Sequence, residues 1–282
     1  MLGRSFAVVA AGGLLAAATW AQAAPQEESF PTEGVGGGLI TDGVNEWLIT
    51  GPSAEEGVFT DFYLPAGGTD HQFATWWWYR VEGDAAETRM PPPDTESYVG
   101  DTARLTWADV DGRGLFSAEA LAVIVSFPPG SVLYHTLGVG NLSGGNLDLH
   151  VFAYLDMDMD GDAAGDSAIE AGPFSLEITE RSRAVYQGAT GPDAYRVDAW
   201  PAVRDALNDA VVDDFANTGL PFGPGDFSGA FQWNRVLPVG GYRAFHTGTC
   251  VNTDEPPCDI GDLVFDDGFE TGDTSNWDAV VP

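Results

Sequence analysis

The chain has 282 residues, 43 acidic against 11 basic, for a formal net charge of −32, and every basic residue is arginine. Such an acidic field repels phosphate, which excludes nucleic acid and anionic membrane as partners and leaves carboxylates in need of dispersal, salt or bound cations. The length suits one large all-β domain or two small ones, with a core that needs no covalent staples.

Arg4, the apolar run Phe6 to Ala18 and the small-x-small triplet Ala21-Gln22-Ala23 have the form of an export signal. Residues 1–23 are therefore expected to be removed. The run is short of the roughly 20 apolar residues a membrane span needs, so the mature chain is expected to be periplasmic, cell-surface or extracellular, without membrane insertion. Residues 24–38, rich in Pro, Gln, Glu, Ser and Gly, read as a flexible lead-in, residues 39–248 as the folded domain, and 249–282 as a loop and acidic tail.

Short β-prone runs follow, separated by Gly, Pro and Asp turns: Leu39-Ile40, Glu46 to Thr50 and Val58 to Leu64. Phe73 to Val81 is the most aromatic strand candidate. On a period of two it sets Phe73, Thr75, Trp77 and Tyr79 on one face and Trp76, Trp78 and Arg80 on the other, which predicts a strand covered twice. The functional alternative makes Trp76, Trp77, Trp78 and Tyr79 a stacking platform for sugar rings. Met90 to Tyr98 is proline-rich and reads as a loop. Arg104 to Val110, Leu115 to Ala118, Leu121 to Phe127 and Val132 to Val139 are four more strands.

The stretch Leu147 to Asp162, LDLHVFAYLDMDMDGD, begins as a strand and ends as a run of carboxylates. Val151, Ala153, Leu155, Met157 and Met159 share one face, with His150, Phe152, Tyr154, Asp156, Asp158 and Asp160 on the other, which predicts aspartates delivered to an exposed loop. Strand material returns at Pro173 to Arg183 and Arg183 to Gln187. Val203, Leu207, Ala210, Val211 and Phe215 recur at helical spacing, predicting one helix between Pro201 and Phe215. Gly229 to Leu237 and Tyr242 to Phe245 read as a closing hairpin. Closely spaced strands without alternating helices predict an all-β fold, an antiparallel β-sandwich of jelly-roll type with one short helix.

Asp156-x-Asp158-x-Asp160-Gly161 matches the opening of a calcium loop, but Ser167 stands where the bidentate Glu of an EF-hand belongs. In a flat strand these aspartates lie about 6 to 7 Å apart, too far for one ion, so chelation needs the chain to curl at Asp158 to Asp162 or oxygens from another loop. The candidate calcium ligands are Asp156, Asp158, Asp160 and Asp162. No G-x-S-x-G, H-E-x-x-H, P-loop or G-x-G-x-x-G is present in a usable context. Of the histidines, His150 shares a strand face with Asp156 and Asp158, and with Arg80 it would serve a carbohydrate-active site. Cys250 and Cys258, in CVNTDEPPC, are expected to form a local disulfide in an exported protein.

WWWYRVEG, NLSGGNLDLHVFAYLDMDMDGDAAGD and GPGDFSGAFQWNRVLPVGG resemble an uncharacterised family of exported bacterial β-proteins, many with a PEP-CTERM type sorting tag. The resemblance covers most of residues 35–247 and implies no catalytic residue. The C-terminal IGDLVFDDGFETGDTSNWDAVVP is instead similar to an Asp-Gly-Phe-Glu-(Ser/Thr)-Gly-Asp tail of secreted bacterial proteins, a candidate segment for docking to secretion machinery. The expected function is a non-catalytic secreted or cell-surface protein stabilised by Ca2+. The alternative is a carbohydrate-binding module or carbohydrate-active enzyme, with surface polysaccharide as partner.

Overall fold

The computed structural model describes residues 37–50, 60–64, 68–127, 130–181 and 183–251. The expected export signal, most of the lead-in, Cys258 and the acidic tail lie outside these residues. Three antiparallel sheets form the sandwich. The first comprises β1 (Gly37–Thr41), β2 (Glu46–Thr50), β3 (Thr60–Leu64) and β4 (Thr69–Asp70), in that order. The second and third interleave along the chain through β5 (Ala74–Val81), β6 (Thr88–Arg89), β7 (Thr95–Val99), β8 (Thr102–Trp107), β9 (Phe116–Phe127), β10 (Gly130–Asn141) and β11 (Leu147–Met157). They continue through β12 (Asp166–Gly172), β13 (Ser175–Glu180), β14 (Arg183–Ala189), β15 (Ala194–Ala199), β16 (Phe222–Gly225), β17 (Phe227–Leu237) and β18 (Tyr242–Val251). The five-stranded sheet runs β15-β17-β11-β5-β6 and the nine-stranded sheet β16-β12-β13-β14-β18-β10-β9-β8-β7.

The aromatic strand explains how the sheets hold together. In β5 every residue from Ala74 to Arg80 is buried, because alternate side chains enter two different packed layers. Trp77 meets Trp233 of β17, which meets Phe245 of β18, and Tyr79 packs edge-on against Phe116 of β9, so this face is the core between the two larger sheets. The opposite face carries Trp78 against Tyr154, with the Trp78 Nε1 donating to Asn208. It is covered by helix α1 (Ala202–Asn208) and the strap that follows.

Four expectations are corrected here. Leu115 to Ala118 and Leu121 to Phe127 are one strand, β9, because Glu119-Ala120 continues the alternation, with Phe116, Ala118, Ala120, Ala122 and Ile124 all buried. The helix stops at Asn208, short of Phe215. Asp209 accepts the Val211 amide at 2.6 Å, and the Asp213 and Phe215 amides go to Glu87, just before β6, and to Gln232 of β17, so the backbone has partners outside a helix. Val211 is left exposed. The expected hairpin of Gly229 to Leu237 with Tyr242 to Phe245 is a corner between sheets: β17 pairs with β11 and β15, β18 with β10 and β14. Asn141 ties that corner, donating from Nδ2 to the carbonyls of Leu237 and Pro238 at 2.9 Å each. Lastly, Thr95–Val99 is an edge strand that begins only after the prolines.

Candidate metal centre

β11 runs between β17 and β5, so both of its edges are paired, and every side chain from Val151 to Met157 is buried, so both faces of that half are covered. Asp156 lies on the outer face with Tyr154, opposite Ala74 of β5 and Ser228 of β17, and is only 1 % exposed. Its Oδ2 accepts the Tyr154 hydroxyl at 2.9 Å, while Oδ1 is buried without a hydrogen-bond partner. The acidic run therefore begins inside the fold and not in an exposed loop, because the sheet extends to Met157 before the chain turns.

Beyond Met157 the chain curls through a 3-10 turn, Met159–Gly161. Asp160 and Gly161 have φ of 59° and 72°, successive left-handed residues of types that tolerate that region. Gly161 donates its amide to the Asp158 carbonyl at 2.9 Å, Met159 is fully buried, and the Asp160 amide donates to His71 Nδ1 at 3.0 Å. His71 is thus the Nε2-protonated neutral tautomer. Burial first, then Arg183, pulls it down to about 4 against the pull of Asp160.

The curl keeps Asp158 beside Asp156, and the third carboxylate comes from far along the chain. Continuing the β11–β17 pairing one rung past Met157–Phe227 sets Asp226 next to Asp158 on the Asp156 face. One oxygen from each of Asp156, Asp158 and Asp226 lies within 4.8 Å of the other two. Among the described residues this is the cluster with metal-holding spacing. Asp160 and Asp162 turn elsewhere. Arg183 Nε holds Asp160 at 2.8 Å, and an Arg181 amino group holds Asp162 at 2.9 Å, clipping the curl to the β13–β14 turn.

The three carboxylates face each other with little cationic relief. Burial raises Asp156 to about 8, with Asp158 and Asp226 adding to it. Burial, then Asp226 and Asp162, raises Asp158 to about 6, and burial raises Asp226 as well. Asp166, the first residue of β12, is fully buried, and neither of its carboxylate oxygens has a hydrogen-bond partner. It is lifted to about 7 by burial and by Glu180, Asp158 and Asp226; the Phe227 amide opposes this from outside hydrogen-bond geometry. Asp156, Asp158 and Asp226 have the spacing to hold a metal ion, with acceptor capacity unspent at Asp156 Oδ1.

The other residues singled out in the sequence fall in three places. Trp76, Trp77, Trp78 and Tyr79 are each at most 4 % exposed, so the ring faces a stacked sugar needs are covered by protein. Arg80 and His150 do come together, with an Arg80 amino group 3.1 Å from His150 Nδ1, and Asn234 Oδ1 is 2.7 Å from that same nitrogen. Arg80 is spoken for, however, by Glu87 at 2.5 Å and Asp214 at 2.7 Å, under the strap that carries Asp213 and Asp214. Cys250 is fully buried in β18, and its expected partner Cys258 lies outside the described residues. Asp226, Asp166 and Glu180 were not among the sequence candidates; the signal for Asp226 is its place at the head of a strand in GPGDFSG.

No protein-family model matches the chain, and no curated protein does. Among solved structures the chain is similar to a bacterial glucoamylase complexed with acarbose, with a TM-score of 0.52 and 11 % identity. The match covers 77 % of this chain and 32 % of the glucoamylase chain. At that identity the likeness is one of fold, and it spans about a third of the larger protein.

Proposed function

We propose that the chain is a non-catalytic exported β-sandwich protein in which a calcium ion, held by Asp156, Asp158 and Asp226, completes the acidic end of the fold. The observation that carries this reading is the mutual approach of those three carboxylates within 4.8 Å, with Asp156 Oδ1 buried and unpartnered. An apolar or softer site would offer His or Cys; this one offers carboxylates alone, which favours calcium or magnesium over zinc or copper. Calcium suits it better than magnesium, since it accepts irregular sets of six to eight oxygens, whereas magnesium demands a near-ideal octahedron. The ion would neutralise carboxylates that the fold otherwise protonates or leaves in repulsion.

The experiment is metal retention by the full chain after chelation, calcium reloading and desalting, compared with Asp158→Ala. Retained calcium that the variant loses supports the reading; no retention, or equal retention by the variant, defeats it. A second reading, binding of a surface polysaccharide, is favoured by the fold likeness to a carbohydrate-active enzyme. Its stacking group would be Trp200, 38 % exposed, whose amide donates to the Asp226 carbonyl at 2.9 Å and whose ring lies 4.9 Å from the Arg204 guanidinium. Glycan binding lost in Trp200→Ala with the fold intact supports it, and binding indifferent to that change removes it.

A further inference from the structure

Asp166 and Glu180 are left out of the three-carboxylate centre, yet they are the harder electrostatic problem. They close the β12–β13 pair, one rung beyond Ser167–Thr179, so the two carboxylates stand across the ladder from one another. Asp166 is fully buried with both oxygens unpartnered. Glu180 is 5 % exposed and its buried Oε2 is unpartnered, while Oε1 meets an Arg181 amino group at 3.3 Å.

The backbone is shaped to hold this arrangement. Gly165 sits at φ 114°, and a side-chain carbon there would come within 3.1 Å of Glu180 Oε1. Its amide donates to the Gly225 carbonyl at 3.2 Å, and Asp166 pairs with Gly225, which places Asp166 beside Asp226 of the first centre. Like charges directly opposite in an antiparallel ladder repel, and a buried carboxylate without a partner loses its hydration uncompensated. Arg181 does not resolve this, because its side chain is 60 % exposed and also serves Asp160 and Asp162.

We propose that Asp166 and Glu180 seat a second divalent cation, calcium, beside the first, so that the acidic end of the sandwich is a two-ion centre. Asp226 directly follows Gly225, the ladder partner of Asp166, so the second site adjoins the first. A second ion supplies the positive charge that neither the arginines nor the first ion can deliver to the β12–β13 rung. The proposal rests on the reading of this end as a cation centre, and the test separates the two.

The full chain, stripped with chelator and reloaded with calcium alone, is desalted in physiological salt, which screens weakly held surface ions, and the calcium kept per chain is counted by atomic emission. Two ions are expected in the wild type and one in Glu180→Gln and in Asp166→Asn. Glu180→Gln is isosteric and removes a buried charge, so it remains informative if Asp166→Asn does not fold. One ion in the wild type overturns the second site and leaves the first standing. Two ions unaffected by either substitution overturn the assignment to Asp166 and Glu180. No retained ion overturns both this proposal and the reading above.

Discussion

Replacing Asp156 by asparagine preserves the side-chain shape and an acceptor for the Tyr154 hydroxyl while removing the charge. The folded-state value of the carboxyl is raised from 3.8 to about 8, chiefly by burial. A raised value means that the contribution to stability is complete below the ordinary aspartate value and is lost as pH rises through about 8. At about 1.36 kcal/mol per pH unit, and without a cation, the wild type carries a penalty of roughly 1.5 kcal/mol at pH 5 and roughly 5 kcal/mol at pH 8. Asp156→Asn carries none. Urea unfolding in chelator at the two pH values is therefore expected to show the variant gaining on the wild type by about 4 kcal/mol as pH rises. A difference that stays constant with pH, or a variant that loses ground at pH 8, refutes the assignment of an ionisable, desolvated carboxylate to the end of β11.

Substitutions at three other positions test the frame around the centre. Glu87→Ala removes one of the two carboxylates that hold Arg80, whose side chain is 5 % exposed, and leaves Asp214 as its remaining ion-pair partner, so it is expected to cost about 1.5 to 3 kcal/mol in urea unfolding. The same change frees the Asp213 amide, so proteolysis within residues 209–218 should quicken. Trp233→Ala removes a ring that touches Trp77, Phe231 and Phe245 and donates to the Thr190 carbonyl, with an expected loss of about 3 to 5 kcal/mol and a Trp233→Phe loss well below it. His135 packs edge-on to Trp47 with its Nε2 covered, and burial lowers it from 6.5 to about 4. Its contribution is full above pH 6.5 and falls as pH drops toward 4, so His135→Gln should gain on the wild type by up to ~3 kcal/mol over that interval. A gap that does not move with pH shows that His135 is not held neutral.

The sandwich was legible because its signals are local. Period-two alternation marked β5 and β11, and the aromatic load on both faces of residues 74–80 announced a strand covered twice, as the burial of Trp77 and Trp78 in separate layers shows. What sequence reasoning missed depended on partners remote in the chain. The helix ended early because Glu87 and Gln232 take the Asp213 and Phe215 amides, and the last two strands separated because their pairing partners lie in different sheets. At the site, Asp156 and Asp158 were visible as a carboxylate run. Asp226 was invisible, because only the β11–β17 pairing brings it to them from nearly seventy residues away. The same holds for Asp160 and Asp162, whose diversion to Arg183 and Arg181 is decided by a hairpin that follows them.

The most direct test of the cation centre is the thermal midpoint of the full chain in chelator and then across a calcium titration at fixed ionic strength, with magnesium and sodium as controls. A ligand that binds only the folded state raises stability by about 2.7 kcal/mol at a hundredfold excess over its dissociation constant. The account predicts a calcium-specific rise in the midpoint that persists at high salt and disappears in Asp158→Ala and Asp226→Asn. A rise reproduced by sodium at equal ionic strength, or undiminished in either variant, would contradict it and reduce the acidic end to simple charge screening.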